Sequence, residues 1–227
     1  MLVLGIDTTT KIASVGLYDD KKGFLGEINL FVKTNHSNVI MSMVDNLFKM
    51  TKFNINDVDK IAVSIGPGSF TGIRIGVAIA KGLAFGSKKT IAGINELDMI
   101  ANLANSKGTV VALLDARKKR VYSAIYRDDE KIVKDEVGEL SLVLDKFKNS
   151  DEEIVFVGDG AIAYRDIIIE ELGEKAKIID DMTSISRAVI LAKMALDRED
   201  NLYTLEPFYV NKSQAEQEKE ARDSKKQ

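Results

Sequence analysis

Two stretches of the chain bring together residue types that could do chemistry. Asp7-Thr8-Thr9-Thr10 closes the apolar run Leu2-Val3-Leu4-Gly5-Ile6. At the C-terminal end of a strand, the N–H groups and hydroxyls of such a turn can cradle a phosphate, and a carboxylate there can hold a hydrated divalent cation. Asp and Thr are equally ordinary hairpin residues that bond their own backbone, so the turn alone leaves both readings open. The second stretch, Gly66-Pro67-Gly68-Ser69-Phe70-Thr71-Gly72-Ile73-Arg74, leaves an apolar run and opens a long segment of small residues. A strand-to-helix turn of this kind aims unpaired N–H groups outward at the positive end of a helix dipole, with Ser69 as a natural N-cap. Its glycines let backbone approach an anion or, as readily, another segment. The spacing is neither G-x-x-x-x-G-K-[ST] nor G-x-G-x-x-G, so no standard nucleotide fingerprint applies. The candidate phosphate-loop residues are Asp7, Thr8, Thr9, Gly66, Gly68, Ser69, Thr71 and Gly72.

The inventory excludes much other chemistry. The 227 residues contain no Cys, no Trp, two Pro and a single His, His36. Without Cys there is no disulfide, no thiol nucleophile and no thiolate-held zinc or iron–sulfur site. One His cannot build a two-histidine metal site, so any metal would rest on carboxylates, carbonyls or phosphate oxygens, and no metal site is expected. No G-x-S-x-G elbow is present, and His36, in a polar run beside Ser37, reads as a capping or surface residue. The 32 basic and 35 acidic residues leave a net charge of −3, which argues against bulk attraction to nucleic acid or anionic membrane. A local basic patch remains open. Asp115-Ala116-Arg117-Lys118-Lys119-Arg120 places four cations after a strand end, as a solvated hairpin turn or as a contact for a phosphate backbone or an acidic partner. No run approaches the roughly 18 apolar residues of a membrane span, and Met1–Asp7 has no basic leader region; a cytoplasmic protein without membrane contact is the expectation.

The elements that must position these residues repeat. Residues 2–20 and 110–128 are each an apolar strand ending near an Asp, a polar turn, and an alternating strand ending near a Tyr. Asp7 and Asp115, Lys11 and Lys119, Tyr18 and Tyr126 are each 108 positions apart. The segments IAVSIGPG and EIVFVGDG follow as a second echo, both strands running into a Gly-x-Gly turn. Two echoes in one order suggest a duplicated unit. Strands are expected at 2–6, 12–18, 24–32, 60–65 and 90–93, with helices at 37–51, 70–86 and 95–105. The second half repeats strands at 109–114, 121–127, 131–137 and 153–157, with helices at 140–148, 161–172 and 185–198. Residues 1–106 form the first unit and 107–203 the second, while 204–212, extended around Glu206–Val210, can pack back on the first. The polar tail 213–227 is expected to be flexible.

Helical periodicity adds an interface. Val39, Ile40, Met43, Val44 and Leu47, with other apolar residues of the 37–51 helix, fill an arc of about 200°, where a surface helix needs roughly 100° or a little more. The helix at 70–86 is small or apolar nearly all round, broken by Arg74 and Lys81. The surplus points to a second contact, either a neighbouring helix or another chain. The candidate partner face is Val39, Ile40, Met43, Val44, Leu47, Ile73, Arg74, Val77 and Lys81.

The pieces LGIDTTTKIASVGLY, NHSNVIMSMVDNLF, SIGPGSFTGIRIGVAIAKGLAFG, LLDARKKRVYSAIY and EPFYVNK occur in the order and spacing of the TsaB (formerly YeaZ) family, which this sequence resembles nearly to Lys212. The resemblance implies an α/β, duplicated actin-like ATPase (ASKHA, RNase H-like) fold of two similar mixed-sheet domains. It implies a non-catalytic role beside the paralogous transferase TsaD, with the ATPase TsaE, in modifying the adenosine next to the anticodon of tRNA. Pairing with TsaD, or with a second copy in its absence, would use the helices at 37–51 and 70–86, and tRNA would be met through the complex. TsaD carries a metal-binding histidine pair on the helix after its corresponding short strand; here that segment, Ala92–Ile100, has no His. Arg117, Lys118 and Lys119 stand where nucleotide-binding members of the fold have Gly and small residues, and Gly158-Asp159-Gly160-Ala161 lacks the usual double Gly. No cofactor is expected, or at most weak ATP or ADP binding. The alternatives are a small phosphotransferase or ATPase of this fold using Asp7, Thr9 and Gly68 at phosphate and, more distantly, an RNase H-like nuclease with Asp7 as a metal carboxylate.

Overall fold

Val, Ile and Leu fill both faces of the strand at Leu2–Asp7 and of its neighbour at Lys60–Gly66, a pattern that only the middle of a covered sheet accommodates. The computed structural model, which describes residues 1–33, 36–180, 185 and 187–210, places them there. In the first half the order is β1 (Leu2–Asp7), β2 (Ile12–Asp19), β3 (Gly23–Phe31), α1 (Ile40–Thr51), β4 (Lys60–Gly66), α2 (Phe70–Ser87), β5 (Thr90–Asn95) and α3 (Glu96–Leu103). In the second it is β6 (Thr109–Asp115), β7 (Arg120–Arg127), β8 (Glu130–Glu139), α4 (Leu140–Asp145), β9 (Ile154–Val157), α5 (Asp159–Ala163), α6 (Arg165–Leu172), β10 (Ala176–Ile178) and α7 (Ala188–Met194).

The two sheets share one plan. Their orders are β3-β2-β1-β4-β5 and β8-β7-β6-β9-β10. In each, the first three strands form antiparallel pairs and the fourth and fifth join in parallel. Asp7 and Asp115 end corresponding central strands, opposite Ser14 and Val121. Gly66 and Gly158, at the ends of the fourth strands, have φ of 103° and 105°, a region open to glycine at little cost.

Packing does not follow chain order. Helices α1 and α2 cover the outer face of the first sheet, and α4, α5 and α6 the outer face of the second. Between the sheets lie α3 and α7, in a core that joins Val3, Ala62 and Ala92 to Val110, Ala112 and Val157. Helix α7, assigned by position to the unit 107–203, packs on β1, β2 and β4 of the first sheet. Two glycines permit this: a Cβ on Gly5 would lie 1.9 Å from Ala188 O, and one on Gly16 2.7 Å from Val189 N. Both ends of α7 are tied to that sheet. Ala188 N–H donates to Ser14 Oγ at 2.8 Å and Val189 N–H to Glu27 Oε1 at 3.0 Å. The buried Lys60 Nζ donates to the carbonyls of Ala195, Leu196 and Arg198 at 2.9, 3.1 and 2.6 Å.

Several expected bounds move. The 37–51 helix starts at Ile40, after a 3-10 turn at His36–Asn38. The strand at 90–93 runs on to Asn95, whose side chain accepts from Leu97 N and Asp98 N and starts α3. The 161–172 helix breaks at Tyr164, with φ −117° and ψ 22°, the residue whose hydroxyl donates to Asp115. The 185–198 helix contracts to Ala188–Met194 among the described residues, and β10 is too short to announce itself by alternation. The 213–227 tail lies outside the described residues. Among those residues, no helix is long and apolar enough to cross a membrane.

Candidate functional site

At the end of β1 the chain folds onto itself. Asp7, Thr8 and Thr9 are buried, and Asp7 Oδ1 accepts from Thr9 N at 2.8 Å and Thr9 Oγ1 at 2.7 Å. Thr8 Oγ1 donates to Gly72 O at 2.7 Å, and Ser69 N–H to Thr9 O at 2.7 Å. Ser69 Oγ accepts from Gly72 N at 3.2 Å, the N-cap its type predicts. The glycines serve this contact. A Cβ on Gly68 would meet Thr9 O at 2.6 Å, on Gly72 Thr8 O at 2.0 Å, and on Gly76 Thr8 Oγ1 at 2.5 Å. Gly66, joined to Pro67 by a cis peptide, lies against Phe208 O, while Thr71 is exposed and stands apart from the contact. Of the two readings the turn left open, the geometry is that of backbone packed on backbone: Thr8 Oγ1, Thr9 Oγ1 and Thr9 N–H already have acceptors within the chain.

The corresponding turn of the second half faces the same cleft. Asp115 Oδ1 accepts from Arg117 N at 2.8 Å and Tyr164 Oη at 2.7 Å, and Asp115 N–H donates to Asp159 Oδ1 at 2.9 Å. Burial holds the Asp159 carboxyl above the usual carboxylate range, against the opposing pull of the Asp115 N–H that it accepts and of Lys11. Burial and the bond to Asp115 push the Tyr164 phenol up. Between the turns lies a cavity of about 210 Å³ lined by Lys11, Phe31, Ile100, Asp115, Asp159 and Ile185, among others. That is below the 300–1,000 Å³ of ordinary small-molecule sites, and its lining sets the Asp115 and Asp159 carboxyls beside the Lys11 ammonium. Tyr164 and the pairing of Asp159 with Asp115 were not foreseen. The echo of EIVFVGDG marked the turn, but nothing local in the sequence reveals which side chain reaches across to it.

The helix face needs correction. Ile40, Met43, Val44, Leu47, Ile73 and Val77 are each 5% exposed or less and belong to the core between the first sheet and its outer helices. Helix α1 packs against both β2 and β3, with Leu25, Ile28, Val39, Phe48 and Phe53 partly buried around it, which accounts for its wide apolar arc. The apolar side chains that do face outward are others: Met41 and Met50 on α1, and Phe70 and Phe85 on α2. Arg74 is exposed, lying 3.8 Å over the Phe70 ring and donating through Nε to Tyr209 Oη at 2.8 Å, and Phe70 stacks on Tyr209 at 4.9 Å. Lys81 Nζ donates to Leu205 O at 2.9 Å. Together with Phe208 N–H on Ile65 O at 2.8 Å, these contacts fasten residues 205–209 along α2 and β4.

At the start of α3, Asn95 is the N-cap and Glu96 is buried. Nearby, Tyr126 Oη and Lys131 Nζ both bond Asp98 Oδ1, at 2.7 and 2.6 Å; burial and then Asp98 raise the Tyr126 phenol far above its ordinary value. Among the described residues no three His, Cys, Asp or Glu side chains are grouped as a metal site.

Comparison with known proteins gives matches of three kinds. The family model described as TsaD, tRNA N6-adenosine threonylcarbamoyltransferase, matches residues 21–219. The tRNA threonylcarbamoyladenosine biosynthesis protein TsaB of Bacillus subtilis is 30% identical over 222 residues, covering 95% of this chain and 96% of that one. Its namesake in Escherichia coli is 33% identical over 178 residues, 74% and 75% of the two chains. Among solved structures, YeaZ from Pseudomonas aeruginosa superposes with a TM-score of 0.72 at 23% identity, over 92% of this chain and 99% of that one.

Proposed function

The chain belongs to the TsaB (YeaZ) family and has its duplicated, actin-like α/β fold, and from that premise we propose that it is a non-catalytic scaffold subunit in tRNA threonylcarbamoyladenosine synthesis. In this reading it pairs with the transferase TsaD, which performs the chemistry on the adenosine beside the anticodon, and works with the ATPase TsaE. Without TsaD it pairs with a second copy. It requires no bound nucleotide or metal.

One observation carries the scaffold reading: Thr8 and Thr9, where the fold would seat phosphates, are donated to Gly72 O and Asp7 and packed on Gly68 and Gly72. A phosphate acceptor would have to compete with these contacts for the two hydroxyls and the Thr9 N–H. The exposed Met41, Met50, Phe70 and Phe85 on α1 and α2 support a protein partner on that side, since Met and aromatic residues are enriched at interfaces. Reconstitution with TsaD and TsaE tests the proposal. Threonylcarbamoylation of tRNA should require this chain, while calorimetry of the chain alone with ATP and magnesium should show no binding tighter than about 1 mM, a free energy of roughly −4 kcal/mol. Tight binding with turnover by the isolated chain would replace the scaffold with the phosphotransferase alternative.

A further inference from the structure

Arg117, Lys118, Lys119 and Arg120 are four consecutive exposed cations at the C-terminal end of β6, in a chain of net charge −3. Three of them hold φ of 66°, 54° and 58°. That region belongs ordinarily to Gly, Asn or Asp, and long side chains are uncommon in it. A turn selected for shape alone would carry residues suited to it, and charges kept for solubility alone would sit on backbone that suits Lys and Arg. Here three long cationic side chains stand on backbone that does not favour them.

The turn is held firmly. Arg117 N–H donates to Asp115 Oδ1 at 2.8 Å, Lys119 N–H to Tyr164 Oη at 3.2 Å, and Leu140 N–H to Lys119 O at 3.0 Å. None of the four cations forms an ion pair among the described residues. Acids do lie close: the groove of about 370 Å³ beside Lys118 and Lys119 carries Glu139, Asp145 and Glu171. Two of these are already joined to Lys148, at 2.8 and 3.2 Å, and Asp115 is committed to the Tyr164 hydroxyl. The duplication supplies an internal comparison. In the matching turn Thr8 and Thr9 are buried against Gly72 and Gly68 and only Lys11 is both charged and exposed, whereas here all four residues from Arg117 to Arg120 are.

We infer that the β6–β7 turn is a docking point for the phosphodiester backbone of a structured RNA, which on the functional reading above is the tRNA itself. The exposed run itself is cationic, with only Ala116 as an apolar member, and the apolar Leu140, Leu144 and Ile167 lie in the groove beside it. The run suits phosphates, which position a nucleic acid without reading its sequence. The inference rests on the tRNA-modification reading and adds a direct contact to it.

Fluorescence anisotropy of an end-labelled tRNA transcript with the full-length chain tests it at several salt concentrations. The triple variant Arg117→Asn, Lys118→Asn, Lys119→Asn removes three charges while introducing a residue that tolerates positive φ, so its thermal midpoint should equal or exceed that of the parent. It should bind about tenfold or more weakly near 0.1 M salt. The slope of log K against log salt should fall by about 2, at roughly 0.7–0.9 for each phosphate that the variant no longer neutralises. The pair Lys118→Arg, Lys119→Arg should bind as the parent does. The inference is overturned if the parent chain does not bind tRNA, or if the Asn variant keeps both affinity and slope. It also fails if that variant loses only TsaD or TsaE in a pull-down, which would make the turn an acidic-protein contact. A modification assay separates the two levels. A chain dispensable for threonylcarbamoylation that still binds RNA through this turn defeats the functional reading alone. A required chain whose Asn variant binds RNA unchanged defeats the RNA-docking inference alone.

Discussion

At the scale of single residues, the glycines of the α2 entry have unequal work. Gly72 presses on Thr8 O, so Gly72→Ala would force backbone from backbone and should cost about 2–4 kcal/mol, read as a lowered urea midpoint. Gly82 on the same helix has open space around it, and Gly82→Ala should stabilise by about 0.5–1 kcal/mol through helix propensity. Equal effects at the two sites would mean that the Thr8 contact is not formed in solution. The sequence offered an anion cradle and a close contact as alternatives at this turn because both use a residue without Cβ; only the position of Thr8 separates them. A second residue-scale consequence concerns pH. The raised Asp159 carboxyl binds its proton more tightly folded than unfolded. Stability linked to it is therefore greatest below the ordinary carboxylate value and declines as pH rises toward the folded value. Asp159→Asn keeps an acceptor for Asp115 N–H and removes the buried charge. It should raise the urea midpoint at pH 7 and leave it unchanged near pH 3; a lower midpoint at pH 7 would show that the charge, held by Lys11, stabilises the fold.

At the scale of elements, apolar periodicity located α1 and α2 well but misjudged which way their surplus faces. The arc of α1 was wide because that helix is enclosed by β2, β3 and partly buried neighbours, a tertiary fact that periodicity along one element does not contain. Strands were more legible. Buried central strands read as continuous Val, Ile and Leu, and the antiparallel hairpins fixed their own register, whereas the three-residue β10 exists only through its pairing with β9, which its own sequence does not show. The corrected face changes the mutational expectation. Val44→Asp would place an unpaired charge in a side chain 3% exposed and should destabilise by more than about 4 kcal/mol. Phe85→Asp, at 66% exposure, should leave stability within about 0.5 kcal/mol while weakening association with TsaD at least about tenfold. Circular dichroism and analytical size exclusion on both variants check this. A folded Phe85→Asp chain that pairs undiminished would remove α2's outer surface from the interface.

At the scale of the whole molecule, the duplication is strict in strand order and absent from the packing between halves. Each sheet repeats the other, yet the layer that separates them is built from α3 of the first half and α7 from near the end of the described chain. The first sheet is therefore unfinished until α7 arrives. Without it, the faces of Val3, Ala62 and Ala92 would meet water, Ser14 and Glu27 would lose the helix N-terminus they bond, and the buried Lys60 ammonium would lose all three of its carbonyls. A buried charge stripped of its partners costs several kcal/mol, a large fraction of the roughly 5–15 kcal/mol that holds a typical domain folded. Two similar halves would suggest two independent unfolding steps. This packing predicts one, because neither sheet can lose its middle layer while the other keeps it. Urea unfolding followed by far-ultraviolet circular dichroism and by hydrogen exchange in each half should give coincident midpoints, and the fragment 1–106 should lack protected amides in β1 and β4. Protection of those amides in the fragment would mean that the first half completes its own core, with α7 an addition to it rather than its closing element.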